Sequence, residues 1–250
     1  MCTLIVLYRP GHAWPILTAA NRDEMLDRPW QPPGRHWPDR SNVVAGLDEL
    51  GGGSWFGLND DGVVAGVMNR RNTLGQGSGK RSRGELVLEA LDHAEAKTAT
   101  EALTHISPTA YRAFNLVVAD SEQAFWLRHT DAPDDNRVEA MELAPGLSMI
   151  TAYDCNDIAS PRVHRFLPLL RAAPAPDPER GDWSAWEAIL ASRESESGPE
   201  AAMNVVTDTG FGTVSSLMLA LPARGRFEVK PKFRFAAGRP DVVSYAEVSL

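Results

Sequence analysis

A cysteine occupies position 2, directly behind Met1 and at the head of the apolar run TLIVLY at residues 3–8. If Met1 is removed, Cys2 carries a thiol and a free amine on the same residue. A thiol has an ordinary pKa of about 8.5 and an α-amine one of about 7.7–8.0, so the amine can accept the thiol proton near neutral pH. The thiolate can then attack a carbonyl and form an acyl-enzyme. The alternative is that Cys2 packs in a strand as a small apolar residue, the usual fate of a free cysteine.

Four polar residues at 21–24 follow the apolar run that ends at Ala20. If the first two apolar runs pair as a hairpin across the Pro-Gly turn at 10–11, these residues lie near the strand end that holds Cys2. Asp23 is then expected to bind the α-amine, and Arg22 to lower the thiol pKa through its positive charge. Asn21 is expected to contact a ligand beside them. The alternative is a charged surface turn whose Arg–Asp pair contributes little to stability.

The elements that must position these residues occur in the order strands, helices, strands, helices, strands. Short β-branched or aromatic runs broken by Gly, Asn or Asp predict hairpins within 3–20, 42–69, 114–129 and 212–236. Apolar residues at helical spacing predict helices over 84–96, 98–106, 160–173 and 182–191, the last with Asp182 as its N-cap. Because this order is not a strict βαβα alternation, it predicts antiparallel sheets with helices outside them, in one domain spanning residues 1–250.

Charge and composition narrow the class of protein. The net charge of −8 argues against a general nucleic-acid binder, whose surface is basic. The N-terminus does not read as a signal peptide, and the apolar runs are too short for a transmembrane segment, so we expect a cytoplasmic protein. The two cysteines, Cys2 and Cys155, have no CxxC neighbour, so neither structural zinc nor a disulfide framework is expected.

The segment RNTLGQGSGKRSRG at 71–84 is rich in glycine and basic residues and is typical of an exposed, mobile loop. Because the rest of the chain is acidic, Arg70 and the cations of this segment are expected to attract an anionic small-molecule ligand or substrate. The segment lacks the GxxxxGK[ST] order of a phosphate-binding loop, since Lys80 is followed by Arg81.

Several stretches resemble the NRDE family, which is the family of the transport and Golgi organisation 2 protein. The stretches are MCTLIVLY (1–8), NRDE (21–24), GGGSWFGLNDDGVVAGVMNRR (51–71), RGELV (83–87), FNLVVAD (114–120) and GFGTVSSLMLALP (210–222). The resemblance implies an α+β, N-terminal-nucleophile hydrolase fold, a four-layer αββα sandwich of two antiparallel sheets flanked by helices. It also makes the chain similar, more distantly, to cysteine acylases that cleave penicillin V or conjugated bile salts. That pattern implies that Cys2 is the nucleophile, Asp23 binds its amine, Arg22 lies beside the thiol and Asn69 is the first candidate for the oxyanion hole.

The chain departs from the acylase pattern at two positions. Acylases and many members of the family have an asparagine after the strand that here reads GLSMIT, where this chain has Ala152. Asn156 is the nearby residue that we expect to serve the oxyanion instead. Many relatives also carry an arginine in a late Gly-Thr-Arg segment, where this chain has Val214 followed by Ser215 and Ser216. Whether the site hydrolyses amides therefore stays open from the sequence.

Two functions are compatible with these features. The first is an N-terminal-cysteine amidohydrolase that cleaves a linear amide C–N bond of a small, non-peptide substrate without a cofactor or a metal. The second is a haem- or lipid-binding and trafficking protein on the same fold, because members of the family have been linked to haem movement and to lipid homeostasis. In that case Trp55 is expected to line an apolar haem pocket with Trp14, Trp30 and Trp37. The candidates for an axial ligand are His12, His36, His129 and His164. The sequence does not predict the oligomeric state.

Overall fold

The computed structural model describes residues 2–75, 77–130, 132, 137–226 and 228–250. Its strands are β1 (Thr3–Tyr8), β2 (Ile16–Met25), β3 (Trp30–Gly34), β4 (Val43–Asp48), β5 (Phe56–Asn59), β6 (Val64–Asn69), β7 (Phe114–Ala119), β8 (Ala124–His129), β9 (Glu139–Glu142), β10 (Gly146–Ile150), β11 (Phe211–Leu221), β12 (Lys232–Ala236) and β13 (Ala246–Glu247). Its α-helices are α1 (Gly84–Leu91), α2 (Ala96–Thr104), α3 (Pro161–Ala172) and α4 (Ser184–Leu190).

The chain divides by its internal contacts into two compact units, each built on one antiparallel sheet. The first unit comprises residues 2–28 and Pro145–Ser249, and the second comprises Pro29–Ala144. The first holds a six-stranded sheet in the order β10-β1-β2-β11-β12-β13, and the second a seven-stranded sheet in the order β3-β4-β5-β6-β7-β8-β9. The expected α+β class with two antiparallel sheets is thereby confirmed.

In the first unit, α3 and α4 cover one face of the sheet. Side chains alternate between the two faces along a strand, so Ile5, Leu17 and Ala19 all point towards the helices. They pack there with Phe166 of α3 and Trp186 of α4 in one buried cluster. The same alternation places residues 21 and 23 of β2 on the helix-covered face and residue 22 on the other face.

In the second unit, the strands follow one another in chain order, and α1 and α2 cover one face. Ala45 and Leu116 of the sheet pack with Leu86 and Leu91 of α1 and with Leu103 of α2. The NDDG turn between β5 and β6 has the expected form, because Asn59 Oδ1 accepts a 2.8 Å hydrogen bond from the Val63 amide and Gly62 has a φ of 88°. Glycine adopts such a positive φ without a steric penalty.

The structure corrects the predicted end of the second strand. The sequence predicts that β2 ends at Ala20, but the strand continues to Met25, so the polar residues 21–24 lie inside the sheet. The strand continues because Asn21 and Asp23 find buried hydrogen-bond partners on the helix-covered face. The polarity of Asn21 and Asp23 therefore marks positions with buried partners and not a surface turn.

Smaller differences concern the ends of elements. Strands β3 and β13 were not predicted, since the first contains two prolines and the second spans only two residues. Helix α4 begins at Ser184 with Trp183 in the N-cap position, whereas Asp182 accepts a 3.1 Å hydrogen bond from the Ser184 amide. In the described ranges, the helices fall short of the length and apolar character that crossing a membrane requires. The single-domain assignment stays a prediction.

Candidate functional site

Cys2 lies at the start of β1, beside the middle of the polar stretch of β2. Thr3 pairs with Asn21, so continuing the antiparallel register by one residue brings Cys2 next to Arg22. The Cys2 thiol is half-buried and donates a hydrogen bond to the backbone oxygen of Asp23, with 3.6 Å between Sγ and O. The hairpin therefore brings Cys2, Arg22 and Asp23 together, as the sequence predicts.

The surroundings of the Cys2 thiol favour its protonated form. Burial raises the pKa of the Cys2 thiol, and the negative charge of Asp23 raises it further, while the positive charge of Arg22 opposes both. Near neutral pH the sulfur is therefore a thiol and not a thiolate. A reaction at Cys2 needs a base that removes this proton.

Asp23 takes part in a buried ion pair with an arginine that the sequence did not single out. Arg162 Nη1 donates hydrogen bonds to Asp23 Oδ2 at 2.9 Å and to Thr3 Oγ1 at 2.7 Å. The Thr213 hydroxyl donates to Asp23 Oδ1 at 2.7 Å. Arg162 Nη2 donates to the backbone oxygen of Glu200 at 2.6 Å. These bonds fix the Asp23 carboxylate, and the predicted contact with an amine at Cys2 stays a prediction.

The start of α3 positions Arg162. Ser160 is the N-cap and its side chain accepts a hydrogen bond from the Val163 amide, and Pro161 opens the first turn. Serine and proline at these two positions are a common start of a helix. Apolar spacing was the sequence signal for this helix, but the pairing of Arg162 with Asp23, 139 residues away, carries no local signal.

Asp23 and Arg22 point to opposite faces of the sheet. Asp23 lies on the face covered by α3, as its bonds to Arg162 show. Arg22 is buried and lies on the other face, opposite Ser215 of β11. Continuation of the β1 register places Cys2 on the same face as Arg22. A reacting group at the Cys2 sulfur therefore lies on the same face as Arg22, whereas the Asp23 carboxylate lies on the opposite, helix-covered face.

Asn21 makes structural hydrogen bonds on the helix-covered face of the sheet. Its Nδ2 donates hydrogen bonds of 2.9 Å to the backbone oxygens of Leu190 and Met203. Its Oδ1 accepts a hydrogen bond of 2.5 Å from the Ser216 hydroxyl. Asn21 is fully buried on the helix-covered face, so its amide group ties β2 to α4 and β11. The predicted contact of Asn21 with a ligand stays a prediction.

Asn156 also makes structural contacts near the end of β10. Its Oδ1 accepts a 2.8 Å hydrogen bond from the Met149 backbone amide, and the backbone amide of Asn156 donates to the Met149 backbone oxygen at 2.9 Å. Its φ of 59° lies in the left-handed region, which asparagine tolerates better than most residues. Ala152, which follows β10 in the chain, is buried. The oxyanion role of Asn156 stays a prediction, and its acceptor oxygen already serves the turn.

Asn69, Arg70 and Trp55 belong to the second unit. Asn69 ends β6 and is half-buried. Alternation along β6 places it on the face of the sheet that α1 covers, with Ala65 and Val67. Its oxyanion role stays a prediction.

Arg70 has a buried partner that sequence reasoning missed. Its Nη1 donates a 2.7 Å hydrogen bond to Oδ1 of Asn115, which also accepts a 3.2 Å bond from Trp126 Nε1. Asn115 sits within the apolar run of β7, and a lone polar residue inside such a run was the available signal. The Arg70 guanidinium is thus held in place by the sheet.

Trp55 packs within the second unit. The Trp30 and Trp55 rings meet edge to face with 5.8 Å between their centroids. The Trp55 ring also covers the bare backbone of Gly46, where an added Cβ would lie only 2.3 Å from the ring. These contacts explain the half-burial of Trp55, and a role in binding a ligand stays a prediction.

The basic segment at 71–84 is tied to the protein, in contrast to the predicted mobile loop. Arg81 forms ion pairs with Glu85 and Glu89. Arg83 Nη1 donates to the backbone oxygen of Ala113 at 2.9 Å, and Lys80 Nζ donates to that of Thr109 at 2.6 Å. Gln76 lies outside the described residues. That these cations attract an anionic ligand stays a prediction.

The four candidate histidines lie in separate surroundings. His12 Nδ1 accepts a 3.0 Å hydrogen bond from the Trp14 amide, and His36 Nε2 lies 2.8 Å from the Pro32 oxygen. His129 is buried against Phe114, and His164 is exposed on α3. Within the described part of the chain, no three His, Cys, Asp or Glu side chains group as metal ligands.

Comparison with solved structures tests the expected N-terminal-nucleophile hydrolase fold. The chain resembles a Caenorhabditis elegans N-acylethanolamine-hydrolyzing acid amidase ortholog with a TM-score of 0.61 and 12% identity, over 99% of this chain and 100% of that one. It also resembles a mutant of the conjugated bile acid hydrolase from Clostridium perfringens with a TM-score of 0.53 and 11% identity, over 100% of this chain and 97% of that one. At these identities the likeness shows the fold alone, and it confirms the expected N-terminal-nucleophile hydrolase fold.

Comparison of sequences gives the family. The mouse Transport and Golgi organization 2 homolog is 31% identical over 134 residues, which cover 48% of this chain and 45% of that protein. The human homolog is 30% identical over 136 residues, which cover 50% of this chain and 47% of that protein. The chain thus spans about half the length of the curated relatives it matches. The family model described as Transport and Golgi organisation 2 matches residues 1–173. The chain therefore belongs to the transport and Golgi organisation 2 family.

Proposed function

We propose that this protein is an N-terminal-cysteine amidohydrolase, which loses Met1 and then cleaves the linear amide bond of a small, non-peptide substrate. The observation that carries the proposal is the position of Cys2, beside the buried Arg22 and with its Sγ 3.6 Å from the Asp23 oxygen. The shared fold with an N-acylethanolamine-hydrolyzing amidase and a conjugated bile acid hydrolase supports an amide as the substrate. Met1 itself lies outside the described residues.

The proposed reaction begins with proton transfer from the Cys2 thiol to the α-amine that Met1 removal frees. Because the surroundings raise the pKa of the thiol, the amine is needed as the base. The sulfur attacks the amide carbon, and the resulting oxyanion needs hydrogen-bond donors, for which Asn69 and Asn156 stay candidates. The α-ammonium of Cys2 returns this proton to the substrate nitrogen, the C–N bond breaks and the amine product leaves. Water then hydrolyses the thioester to release the acid and the free thiol.

The state of the N-terminus is the first test. Intact mass spectrometry of the untagged protein reports whether Met1 is present. Protein without Met1 is then incubated with a panel of small N-acyl amides, and the release of the amine is measured. We expect turnover in the wild-type chain and none in Cys2→Ala with an unchanged circular dichroism spectrum. Full retention of Met1 on purified protein, or equal turnover in Cys2→Ala, would contradict the proposal.

A matched variant separates nucleophilic chemistry from effects on folding. Cys155 is the other cysteine, also half-buried, and it lies outside the β1–β2 hairpin. Cys155→Ala is expected to keep the turnover of the wild type, since the proposed reaction does not use its thiol. Loss of turnover in both cysteine variants would point to a folding defect and not to a nucleophile.

The alternative proposal is that the protein carries haem or a lipid without hydrolysis. No contact in the described residues favours this alternative, and a haemin titration tests it. Haemin is titrated into the wild type and into His164→Ala, the variant of the exposed candidate histidine. A saturable shift of the Soret band, with an amide panel that stays inactive, would favour the carrier. The cytoplasmic location stays a prediction that subcellular fractionation can test.

A further inference from the structure

A β-bulge decides which side chain of β11 lies opposite Arg22. In the β2–β11 ladder Thr213 pairs with Asp23 and Ser215 pairs with Arg22, so Val214 is an extra residue in β11. In a regular ladder Val214 would occupy the place opposite Arg22. Bulges of this kind re-aim a side chain and are frequent beside active sites. Here the bulge exchanges an apolar side chain for a hydroxyl next to the guanidinium.

The Ser215 hydroxyl is buried and unsatisfied. Its residue is 1% exposed, and its Oγ has no hydrogen-bond partner among the described residues. A buried hydroxyl without a partner destabilises the folded chain, so native proteins rarely keep one without a reason such as a bound water or ligand.

Ser216, the next residue of β11, has a hydroxyl that does find hydrogen-bond partners. Ser216 points to the helix-covered face, where its Oγ lies 2.5 Å from Asn21 Oδ1 and 2.6 Å from the Tyr245 hydroxyl oxygen. Ser215 points to the face of Arg22 and Cys2. The Ser216 hydroxyl is thus satisfied on the helix-covered face, whereas the Ser215 hydroxyl, on the other face, has no partner among the residues that the structure describes.

Cys2, Arg22 and Ser215 form a row across three adjacent strands. Arg22 stands on β2 between Cys2 at the start of β1 and Ser215 on β11. Neighbouring strands lie about 4.8 Å apart, so the backbones of Cys2 and Ser215 are separated by about 10 Å. A molecule that reacts at the Cys2 sulfur and extends along this row reaches Arg22 first and Ser215 next.

We propose that Ser215 and Arg22 bind a carboxylate of the substrate whose amide carbonyl lies at Cys2. A guanidinium only donates hydrogen bonds, and a hydroxyl can add one more donor, so the pair fits an oxygen acceptor that carries negative charge. The site then takes small amides with an acidic group about 5–10 Å from the scissile carbonyl, one to two strand spacings away. This inference rests on the proposed amidohydrolase function and names its class of substrate.

The test uses covalent labelling of Cys2, which does not require turnover. The probes are 3-maleimidopropionate and N-propylmaleimide, which have the same reactive ring and similar length but differ in the carboxylate. Rates are measured by mass spectrometry in a Cys155→Ala background, so that the thiol of Cys2 alone reacts. The wild-type chain is expected to react faster with the carboxylate probe. The ratio of the two rates is expected to fall about tenfold in Ser215→Ala, the size expected when one hydrogen bond to a charged group is lost.

Ser216→Ala is the matched control, since it removes the neighbouring hydroxyl from the opposite face. It is expected to lower the melting temperature because it loses bonds to Asn21 and Tyr245, and to leave the ratio of rates unchanged. Ser215→Ala is expected to keep the melting temperature, because its hydroxyl has no protein partner to lose.

Three results would overturn the inference. The first is no preference of the wild-type chain for the carboxylate probe, which includes the case in which neither probe reacts. The second is an equal ratio of rates in Ser215→Ala and wild type. The third is a melting temperature of Ser215→Ala as low as that of Ser216→Ala. Turnover of uncharged amides with an unchanged ratio would remove this subsite alone, whereas a carboxylate preference without any amide turnover would remove the proposed hydrolysis alone.

Discussion

Arg162 of α3 and Asp23 of β2 form an ion pair with 2.9 Å between Nη1 and Oδ2, and their side chains are 2% and 0% exposed. Both partners make a further hydrogen bond, Asp23 with the Thr213 hydroxyl and Arg162 Nη1 with Thr3 Oγ1. A buried pair with such additional bonds fixes the position of two elements, whereas removal of one partner leaves an uncompensated buried charge. The backbone of Asp23, which contacts the Cys2 thiol, is thus held from the helix side.

Replacement of Arg162 by methionine is expected to destabilise the protein strongly. The Asp23 carboxylate would stay buried without its cation, and breaking such a pair lowers the free energy of unfolding by about 3–5 kcal/mol. Urea unfolding of the two proteins measures the difference. Arg165→Met is the control on the same helix, since Arg165 pairs with the exposed Glu194 and Glu196. This substitution should lower the free energy of unfolding by less than about 1 kcal/mol. Equal losses in both variants would show that the buried pair has no special role.

Asn156 variants are expected to separate a structural role from an oxyanion role. Asn156→Gly keeps the positive φ but loses the bond to the Met149 amide, at a cost of about 1 kcal/mol. Asn156→Ala also strains the backbone by about 1–2 kcal/mol and should be less stable than the glycine variant. Asn156→Asp keeps the acceptor and should stay folded, but it lacks the amide donor. Full amide turnover in Asn156→Asp would exclude Asn156 from the oxyanion hole.

Tyr111 is expected to titrate late and to make the protein sensitive to alkaline pH. Burial, followed by the negative charge of Glu89, raises the pKa of the Tyr111 phenol from 10.0 to about 12. The folded state then holds its proton more tightly than the unfolded state, so this contribution to stability is present below pH 10 and is lost as the pH rises towards 12. Tyr111→Phe should flatten the fall in the free energy of unfolding above pH 10.

A second tyrosine provides the comparison at neutral pH. The Tyr111 hydroxyl has no hydrogen-bond partner among the described residues, so Tyr111→Phe should leave the free energy of unfolding unchanged or higher. Tyr245→Phe loses a 2.6 Å hydrogen bond to Ser216 and should lower it by about 1 kcal/mol. Thermal unfolding at pH 7 measures both variants, and a larger loss in Tyr111→Phe would contradict the assignment.

The Cys2 thiol is expected to react slowly at neutral pH while Met1 is present. Burial and Asp23 raise its pKa above 9.0, so alkylation by iodoacetamide should increase with pH up to and beyond pH 9.0. Protein that lacks Met1 carries an ammonium on Cys2 itself and should react faster at pH 7. Rates measured by mass spectrometry, with Cys2→Ser as the blank, test both statements. A rate that levels off below pH 8 with Met1 in place would contradict the raised pKa.

Stabilisation by the protonated thiol has a defined sign. The raised pKa means that the folded state binds the proton more tightly than the unfolded state above pH 9.0. The contribution is fully present below that pH and is lost as the pH rises through the folded value. Cys2→Ser should therefore show a smaller fall in the free energy of unfolding above pH 9.0 than the wild type shows.

Local patterns predict much of the fold because they act between neighbours in the sequence. The β1–β2 and β7–β8 hairpins follow from apolar runs separated by turn residues, and the helices from apolar spacing. The predicted end of β2 was wrong because polar residues of this strand bond to groups far along the chain, such as Arg162. A sequence shows the polarity of residues 21–24, but not the partners that allow burial.

Some features of the candidate site can likewise be predicted from local sequence patterns, and others cannot. The hairpin register brings Cys2 beside Arg22, and this follows from the turn between two strands. The side to which each residue points decides its role, and here Asn21 and Asp23 turn to the helices while Arg22 turns away. The bulge at Val214 shifts the register by one residue, and no pattern in the segment GFGTVSSLMLALP marks its place. Sequence reasoning therefore found the nucleophile candidate but not the hydroxyl opposite Arg22.

The pairing of β2 with β11 sets the order in which the chain can fold during its synthesis. Met25 of β2 pairs with Phe211, so one edge of the first hairpin stays open while the ribosome makes nearly two hundred further residues. At about 5–20 residues per second this takes about 10–40 s. Pro29–Ala144, by contrast, form a contiguous stretch with their own sheet, which can close earlier. The nascent protein thus carries an N-terminal hairpin with an open β2 edge over this period, and a chaperone that binds extended strands would find its target there.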